Sequence, residues 1–468
     1  MEISLPGSAA ELKVFLQGLD RLLLEKALEW ARKTYQAILE QVEQLIAEHR
    51  GKGLSIEHRR GVWHHTCLGV VRVHRRQYRD EKGCYRYILD EMMGMGKHCH
   101  MSLGVRELAL EMATAMPYRR SAEVLRKASA IGLAHQTLWR LVARTADPYL
   151  EKAERELKWF LETGEVPDSE GKRAARLLVE ADGVMLSLQR EKERKAEVKL
   201  GIAYEGWEKV GKDRYRTTNK TAFAALGDGD SFWGGMSLKL HSKYDLSRVG
   251  DTIVGGDGAR WVKEGADYVG GRFQLDYYHL HRELTAALGK DKQTKGRVWQ
   301  AIKRGEAQTG LQLLAETLRG AKREQAEKVR HAYGYLQANL SGLRDYRLGL
   351  GPQEKGLRRS GAIEGNVDKL VVRRMKNQGL SWTVRGIRRL LCVRFLVLEG
   401  QLKNWLGWEG ERKTGIDLPR KKMHRVVNQL SMQESDAWLK VGLPALYGPH
   451  ASRPWAVALR GLSQRACL

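Results

Sequence analysis

The stretch LLVEADGVML, residues 177–186, sets two acids, Glu180 and Asp182, inside an apolar run that breaks at Gly183. Its β-branched and aliphatic content reads as a buried strand, and a strand's period of two puts both acids on one face. A carboxylate held in such a place is costly unless it is paired or binds a cation. On the residues alone either acid can be the ligand, and Glu180 can instead pair with a basic neighbour.

Strand texture continues outward from this segment. Residues 197–207 and 216–228 read as two more strands, residues 231–246 as a helix, and residues 252–257 as a short strand ending in Asp257. A further run, RFQLDYYHLHREL (272–284), follows, and the order of strands and helices predicts a sheet flanked by helices. Between about Leu284 and Tyr346 the chain is rich in Ala, Leu, Gln, Glu, Lys and Arg, which predicts an all-helical insertion. Two helices broken near NQGLSW (377–382) resume the fold.

Asp182 lies on the first strand, Asp257 at the end of a later one, and Glu364 in the first turn of a helix. A sheet can bring strand-borne acids side by side, and a helix on its edge can supply the third. Three converging carboxylates repel one another unless cations sit among them, and hard oxygen donors suit Mg²⁺ or Mn²⁺. Two such ions, about 3.5–4 Å apart, support in-line attack on phosphorus. Gly183, Gly256, Gly258, Gly361 and Gly365 flank these acids and are expected to leave room for a bulky nucleic-acid backbone.

The strand with EADGVML, the GGDGARW segment (255–261), DYYHLHR (276–282), GAIEGNVDK (361–369) and the basic MKNQGLSW after it resemble the DDE transposases of bacterial insertion sequences. The likeness is to the Mutator-like branch, ISLre-type family, and covers about residues 55–405. It implies an RNase H-like catalytic domain with a helical insertion, making the chain an α+β multidomain protein. It also implies that Asp182, Asp257 and Glu364 are the catalytic, metal-binding acids, holding two Mg²⁺ or Mn²⁺ ions. Asp276 and His279 match that branch's acid-x-x-His pattern and carry over as supporting residues. About 75 residues separate the first two acids and about 107 the last pair, which accommodates the insertion.

Domain boundaries follow from the same reading. Residues 1–55 form a long amphipathic helix, from a capping box at Ser8 and Glu11 to RGKG at 50–53, and offer a contact for oligomerisation. Residues 56–170 hold a β-hairpin turning at RDEKG (79–83), then helices, with His135, Gln136, Thr137 and Arg140 at the head of a helix-turn-helix recognition helix. Ordinary helical packing competes with that reading. Residues 171–405 form the catalytic domain, and 406–468 a basic tail. KHCH (97–100), with Cys67 and Cys84 upstream, hints at zinc but has no standard spacing.

Charge names the partner. The chain has 81 Lys+Arg against 56 Asp+Glu, a formal charge of +25, and five scattered cysteines. That field favours a polyanion, and double-stranded DNA at element ends and target is the expected one. Between Lys355 and Arg425 there are 18 Lys/Arg against 6 Asp/Glu, an excess of 12. Arg373, Arg374, Lys376, Arg385, Arg388 and Arg389 are therefore expected to grip phosphates, with Trp382 stacking on a distorted base. No apolar run approaches a membrane span and the N-terminus has no signal core, so a cytoplasmic, nucleoid-bound protein without membrane contact is expected. Family analogy adds a homodimer or larger assembly. A structure-selective nuclease of RNase H-like fold and an inactive DNA-binding protein are the alternatives.

Overall fold

The computed structural model describes residues 9–95, 100–166, 171–289, 291–348, 350, 357–377 and 379–408. Most of the basic tail, and His98 and Cys99 of the KHCH segment, lie outside them. The chain is a mixed α+β protein, with three sheets among the described residues, and divides into two compact units. No helix among the described residues is long and apolar enough to cross a membrane. Cys67, Cys84 and Cys392 are free thiols.

The first unit takes residues 1–112, 118–138 and 402–468. Helix α1 (Ala9–His49) runs for 41 residues, and its C-terminal half buries Leu39 and Ile46 against Val71, Val73 and Tyr78. Strands β1 (Leu54–Thr66) and β2 (Gly69–Asp80) pair antiparallel along their length. The expected turn at RDEKG (79–83) joins β2 to the two-residue β3 (Tyr85–Arg86), which pairs with it antiparallel, and a second turn, at Cys67–Leu68, joins β1 to β2. Gly69, at φ +110°, supplies the backbone this tight turn needs. The first strand escapes the sequence pattern because Ser55–Gly61 is exposed on every residue and carries one large apolar side chain, Ile56. Helices α2 (Ile88–Met92), α3 (Leu103–Ala115) and α4 (Tyr118–Ala128) follow, then α5 (His135–Thr163), of which only the residues up to Leu138 belong to this unit.

The second unit takes residues 113–117 and 139–401. Its strands are β4 (Leu177–Ser187), β5 (Lys195–Tyr204), β6 (Gly206–Gly211), β7 (Arg214–Thr218) and β8 (Thr221–Leu226). Then come α6 (Gly229–His241), β9 (Thr252–Gly256), α7 (Arg260–Val269), β10 (Arg272–Leu275) and α8 (Tyr277–Leu288). The third strand expected from sequence is two, because Asn219 adopts φ +53° and turns the chain between β7 and β8. The main sheet has the order β10-β9-β4-β5-β8. β4, β5 and β8 alternate antiparallel, while β9 and β10 run parallel to β4.

Period two sorts the faces of β4. Leu177, Val179 and Ala181 join Phe232, Trp233, Met236 and Val262 in the core under α6 and α7. Glu180 and Asp182 project from the other face, which α12 (Ala362–Val367) covers. Gly256 is required by this packing, since a Cβ there would stand 2.5 Å from Val262 Cγ1 and 2.7 Å from the Ala181 carbonyl oxygen. Helices α9 (Lys292–Lys303), α10 (Ala307–Gly320) and α11 (Arg323–Ala338) pack with α8 around Leu284, Val298, Leu314 and Leu336, a separate helical core within the unit. After α12 the helix widens to a π-helical stretch at Asp368–Val372 and closes as α13 (Arg373–Met375). Helix α14 (Val384–Leu398) ends the unit, and α15 (Leu402–Trp408) belongs to the first.

Candidate metal centre

Strand register assembles the acids. Ala181 of β4 and Leu275 of β10 both pair with Gly256 of β9, so these three residues stand side by side across parallel neighbours. The next residue on each strand is an aspartate: Asp182, Asp257 and Asp276. Neighbouring strands lie about 4.8 Å apart, so the pairing alone forms a row of three carboxylates. The Asp276 N–H, donating to the Gly256 carbonyl at 2.8 Å, extends the ladder to the end of that row.

Asp276 then caps α8. Its Oδ1 accepts the Tyr278 N–H at 3.0 Å, and its Oδ2 lies 3.3 Å from His279 Nδ1 in the helix's first turn. Asp257 accepts the Ala259 N–H at 2.9 Å, and its carbonyl accepts the Tyr335 hydroxyl at 2.6 Å, which ties the helical insertion to the row. Ligand atoms of Asp276, His279 and Glu364 all lie within 4.8 Å of one another.

Glu180 answers the question its sequence raises. It is 1% exposed and is not presented to a cation. Its Oε2 accepts the N–H groups of Gly361 and Ile363, both at 2.9 Å, and the Tyr204 hydroxyl donates to Oε1. These are the orphan donors at the start of α12, so the carboxylate caps the helix that carries Glu364 and seats it over the row. Gly361, at φ +128°, lets the chain enter the helix at this angle. Backbone geometry and packing thus explain Gly256 and Gly361 rather than room for a bulky ligand. At Gly365 a Cβ would meet open space.

The electrostatics describe a site short of positive charge. Burial pushes the Glu180 carboxyl up to about 7, with Asp276 adding to the rise and Tyr204 and the two amides opposing it. Asp182 is raised first by burial, then by Asp257 and Asp276, against the Gly183 N–H and His279. Glu364 is raised by burial, Asp276 and Asp182. His279 is raised chiefly by its hydrogen bond to Asp276, with Asp182 adding. Burial is the first cause of the rise at both Asp182 and Glu364, and the neighbouring carboxylates add to it. The donors, oxygen-rich with one imidazole, fit Mn²⁺ or Mg²⁺.

Several expected DNA contacts are instead structural. Trp382 is buried, and its indole N–H donates to the Met375 carbonyl at 2.7 Å, so no base can stack on it. Its backbone N–H donates to Ser187 at 3.0 Å, pinning the segment to the end of β4. Arg374 is buried with Nε donating to the Ala113 carbonyl at 3.0 Å and its guanidinium 5.2 Å from the Trp382 ring centroid. Arg389 is buried on Asp147, with Nε 2.7 Å from Oδ1. Those three basic and aromatic side chains are spent inside the unit. Arg385 and Arg388 are exposed yet paired with Asp147 and Glu154, each at 3.2 Å, and Arg373 pairs with Asp368 at 2.7 Å. Lys376 is exposed. Gln136 and Arg140 are exposed and His135 and Thr137 half-buried at the start of α5, which follows α4 across a six-residue turn, 129–134.

Sequence reading missed Tyr204 and Tyr335. The apolar setting of Glu180 did demand a partner, but nothing local names a tyrosine 24 residues away.

These features define a mixed α/β protein whose parallel strand ends set three aspartates in a row, with Asp276, His279 and the helix-borne Glu364 close enough together to hold one cation. The chain belongs to the uncharacterised protein family UPF0236, whose sequence profile matches residues 11–413. A UPF0236 protein of Caldanaerobacter subterraneus subsp. tengcongensis is 24% identical over 415 residues, 86% of this chain and 84% of that protein. Another from the same organism, whose name joins eleven designations, is 25% identical over 389 residues, 82% of this chain and 77% of its own length. A UPF0236 protein of Streptococcus gallolyticus, named for the 3′ region of vanSb, is 25% identical over 362 residues, 75% and 76% of the two chains.

Proposed function

We propose that this chain is the transposase of a bacterial insertion sequence, cleaving DNA at element ends and joining the freed 3′-hydroxyl to target DNA. The observation that carries the reading is the register that sets Asp182 beside Asp257, together with the Glu180 cap that seats Glu364 over them. Sheet order supports it: a central strand flanked by two antiparallel strands on one side and two parallel strands on the other is the order of an RNase H-like sheet. A relative whose name joins eleven designations in one organism fits an element that copies itself.

Asp182, Asp257 and Glu364 would hold the two divalent ions, and Asp276 and His279 lie close enough to Glu364 to share one of them. Such ions activate the attacking oxygen and stabilise the leaving one. The chain's own residues fix where this happens. Tyr335 anchors the Asp257 backbone, Asp276 orients the His279 ring, and Glu180 holds α12 so that Glu364 faces the row.

Purified protein with Mn²⁺ and labelled element ends tests the proposal. Joined products that vanish on Asp182→Asn while DNA binding persists are expected. Cleavage without joining would leave a nuclease, and salt-sensitive binding with no cleavage a DNA-binding protein.

A further inference from the structure

The β1–β2 ribbon carries a second feature unused by the metal centre. Register sets Trp63 opposite Arg72, Gly61 opposite His74 and Arg59 opposite Arg76, so these side chains share one face. The other face holds Val71 and Val73 in the core of the first unit. Trp63 is 58% exposed, and the Arg72 guanidinium lies 5.6 Å from its ring centroid. Arg59 and Arg60, further along β1, are exposed, the former 3.7 Å from Glu40. His74 and Arg76 are held by α1 through Glu40 at 2.9 Å and Gln44 at 2.7 Å, which fixes the ribbon on its helix. Leu54–Asp80 holds six arginines against two acids, and only Arg75 is buried, on Asp90 at 3.0 Å. A wide-open tryptophan carrying a stacked guanidinium on a rigid basic ribbon is a costly surface for a protein that leaves it in water, and it is complementary to a polyanion with apolar edges inside a groove.

We propose that this ribbon binds duplex DNA, with Trp63 and Arg72 entering the major groove and Arg59, on the same face, lying on a flanking phosphate. A two-stranded ribbon fits the roughly 12 Å groove of B-form DNA, and phosphate contacts hold it in register there. The assignment shares with the transposase reading only a DNA partner, and it does not depend on the metal centre.

Fluorescence anisotropy of the full chain on labelled duplex DNA, across a salt series, tests it. Arg59→Ala should lower the slope of log K against log salt by about 0.9, one phosphate contact. Trp63→Ala should weaken binding about tenfold with little change in slope. Lys158→Ala, at a side chain 76% exposed on α5, should leave the slope unaltered. Because the altered side chains are exposed, urea midpoints should not move, which separates lost contacts from lost fold. Unchanged slope and affinity in the ribbon variants overturn the proposal. So does an equal loss on duplex RNA, whose narrow major groove excludes a ribbon. Absence of cleavage and joining by the parent protein with Mn²⁺, with these ribbon effects intact, would sink the transposase reading alone.

Discussion

Replacing Glu180 by alanine removes the acceptor for three donors at once: the buried Ile363 amide and Tyr204 hydroxyl and the partly buried Gly361 amide. A buried donor left unsatisfied costs about 1–3 kcal/mol, so the two buried donors carry a gross penalty of roughly 2–6 kcal/mol. Two effects offset part of it. The carboxyl is itself desolvated, as its rise to about 7 shows, and water can enter the vacated space. A net loss of about 2–4 kcal/mol is expected, concentrated in α12 rather than spread over the sheet. Glu180→Gln keeps an acceptor for the two amides and turns its NH₂ toward the tyrosine oxygen, so about 1 kcal/mol is expected. Tyr204→Phe removes only one donor and should fall between parent and alanine variant. Hydrogen exchange at Gly361 and Ile363, read with urea unfolding and a Mn²⁺ titration, separates the outcomes. Fast exchange at those amides and weakened Mn²⁺ binding, with the β4–β5 amides still protected, is the expected pattern. Alanine at 180 with unchanged exchange and unchanged Mn²⁺ affinity would refute the capping argument.

In metal-free protein, Asp182→Asn should raise the urea midpoint, by about 1 kcal/mol in stability, because it relieves repulsion among Asp182, Asp257 and Asp276, while it abolishes the thermal shift that Mn²⁺ gives the parent. Arg389→Ala should cost about 2–3 kcal/mol by leaving Asp147 without its closest partner, yet leave DNA affinity within a factor of two, the reverse of what a phosphate contact would do. In the first unit, buried Asp90 is held up to about 6 and buried His64 down to about 4, with Arg75 between them in charge. Folded Asp90 binds a proton that the unfolded chain has released between pH 3.8 and 6, so its contribution falls as pH rises through that window. Unfolded His64 binds a proton that the folded chain lacks between pH 4 and 6.5, so its contribution rises over nearly the same window. The two slopes oppose each other, and Asp90→Asn should unmask a stability that climbs by about 2–3 kcal/mol from pH 4 to 6.5; a flat profile in urea titrations of that variant would contradict it.

Much of the second unit was legible because its elements carry local signals. The alternation in β4, the aspartate that ends each short strand, and the change from strand to helical composition after Leu284 can all be read along the chain. Asp276 was harder to weigh. As a residue beside His279 it looked like support, and only the Leu275–Gly256–Ala181 register shows that it stands in the same row as Asp182 and Asp257. The basic run after Glu364 misled in the opposite direction. Arginine composition cannot say whether a guanidinium meets a phosphate or Asp147, and a Trp382 at a helix break looks alike whether it is bare or buried. Exposed β1 gave no period at all, so its turn into β2 at Cys67–Leu68 was not foreseen, although the β2–β3 turn at RDEKG was.

The chain's own letters determined which residues could do chemistry and what charge surrounds them, because composition and period act between near neighbours. Which acids share a site, which acid merely holds a helix, and which arginines are spent on carboxylates were decided by the tertiary structure. Strand register and burial join residues tens to hundreds of positions apart, and the cost of an unpaired buried group depends on what the fold brings to it.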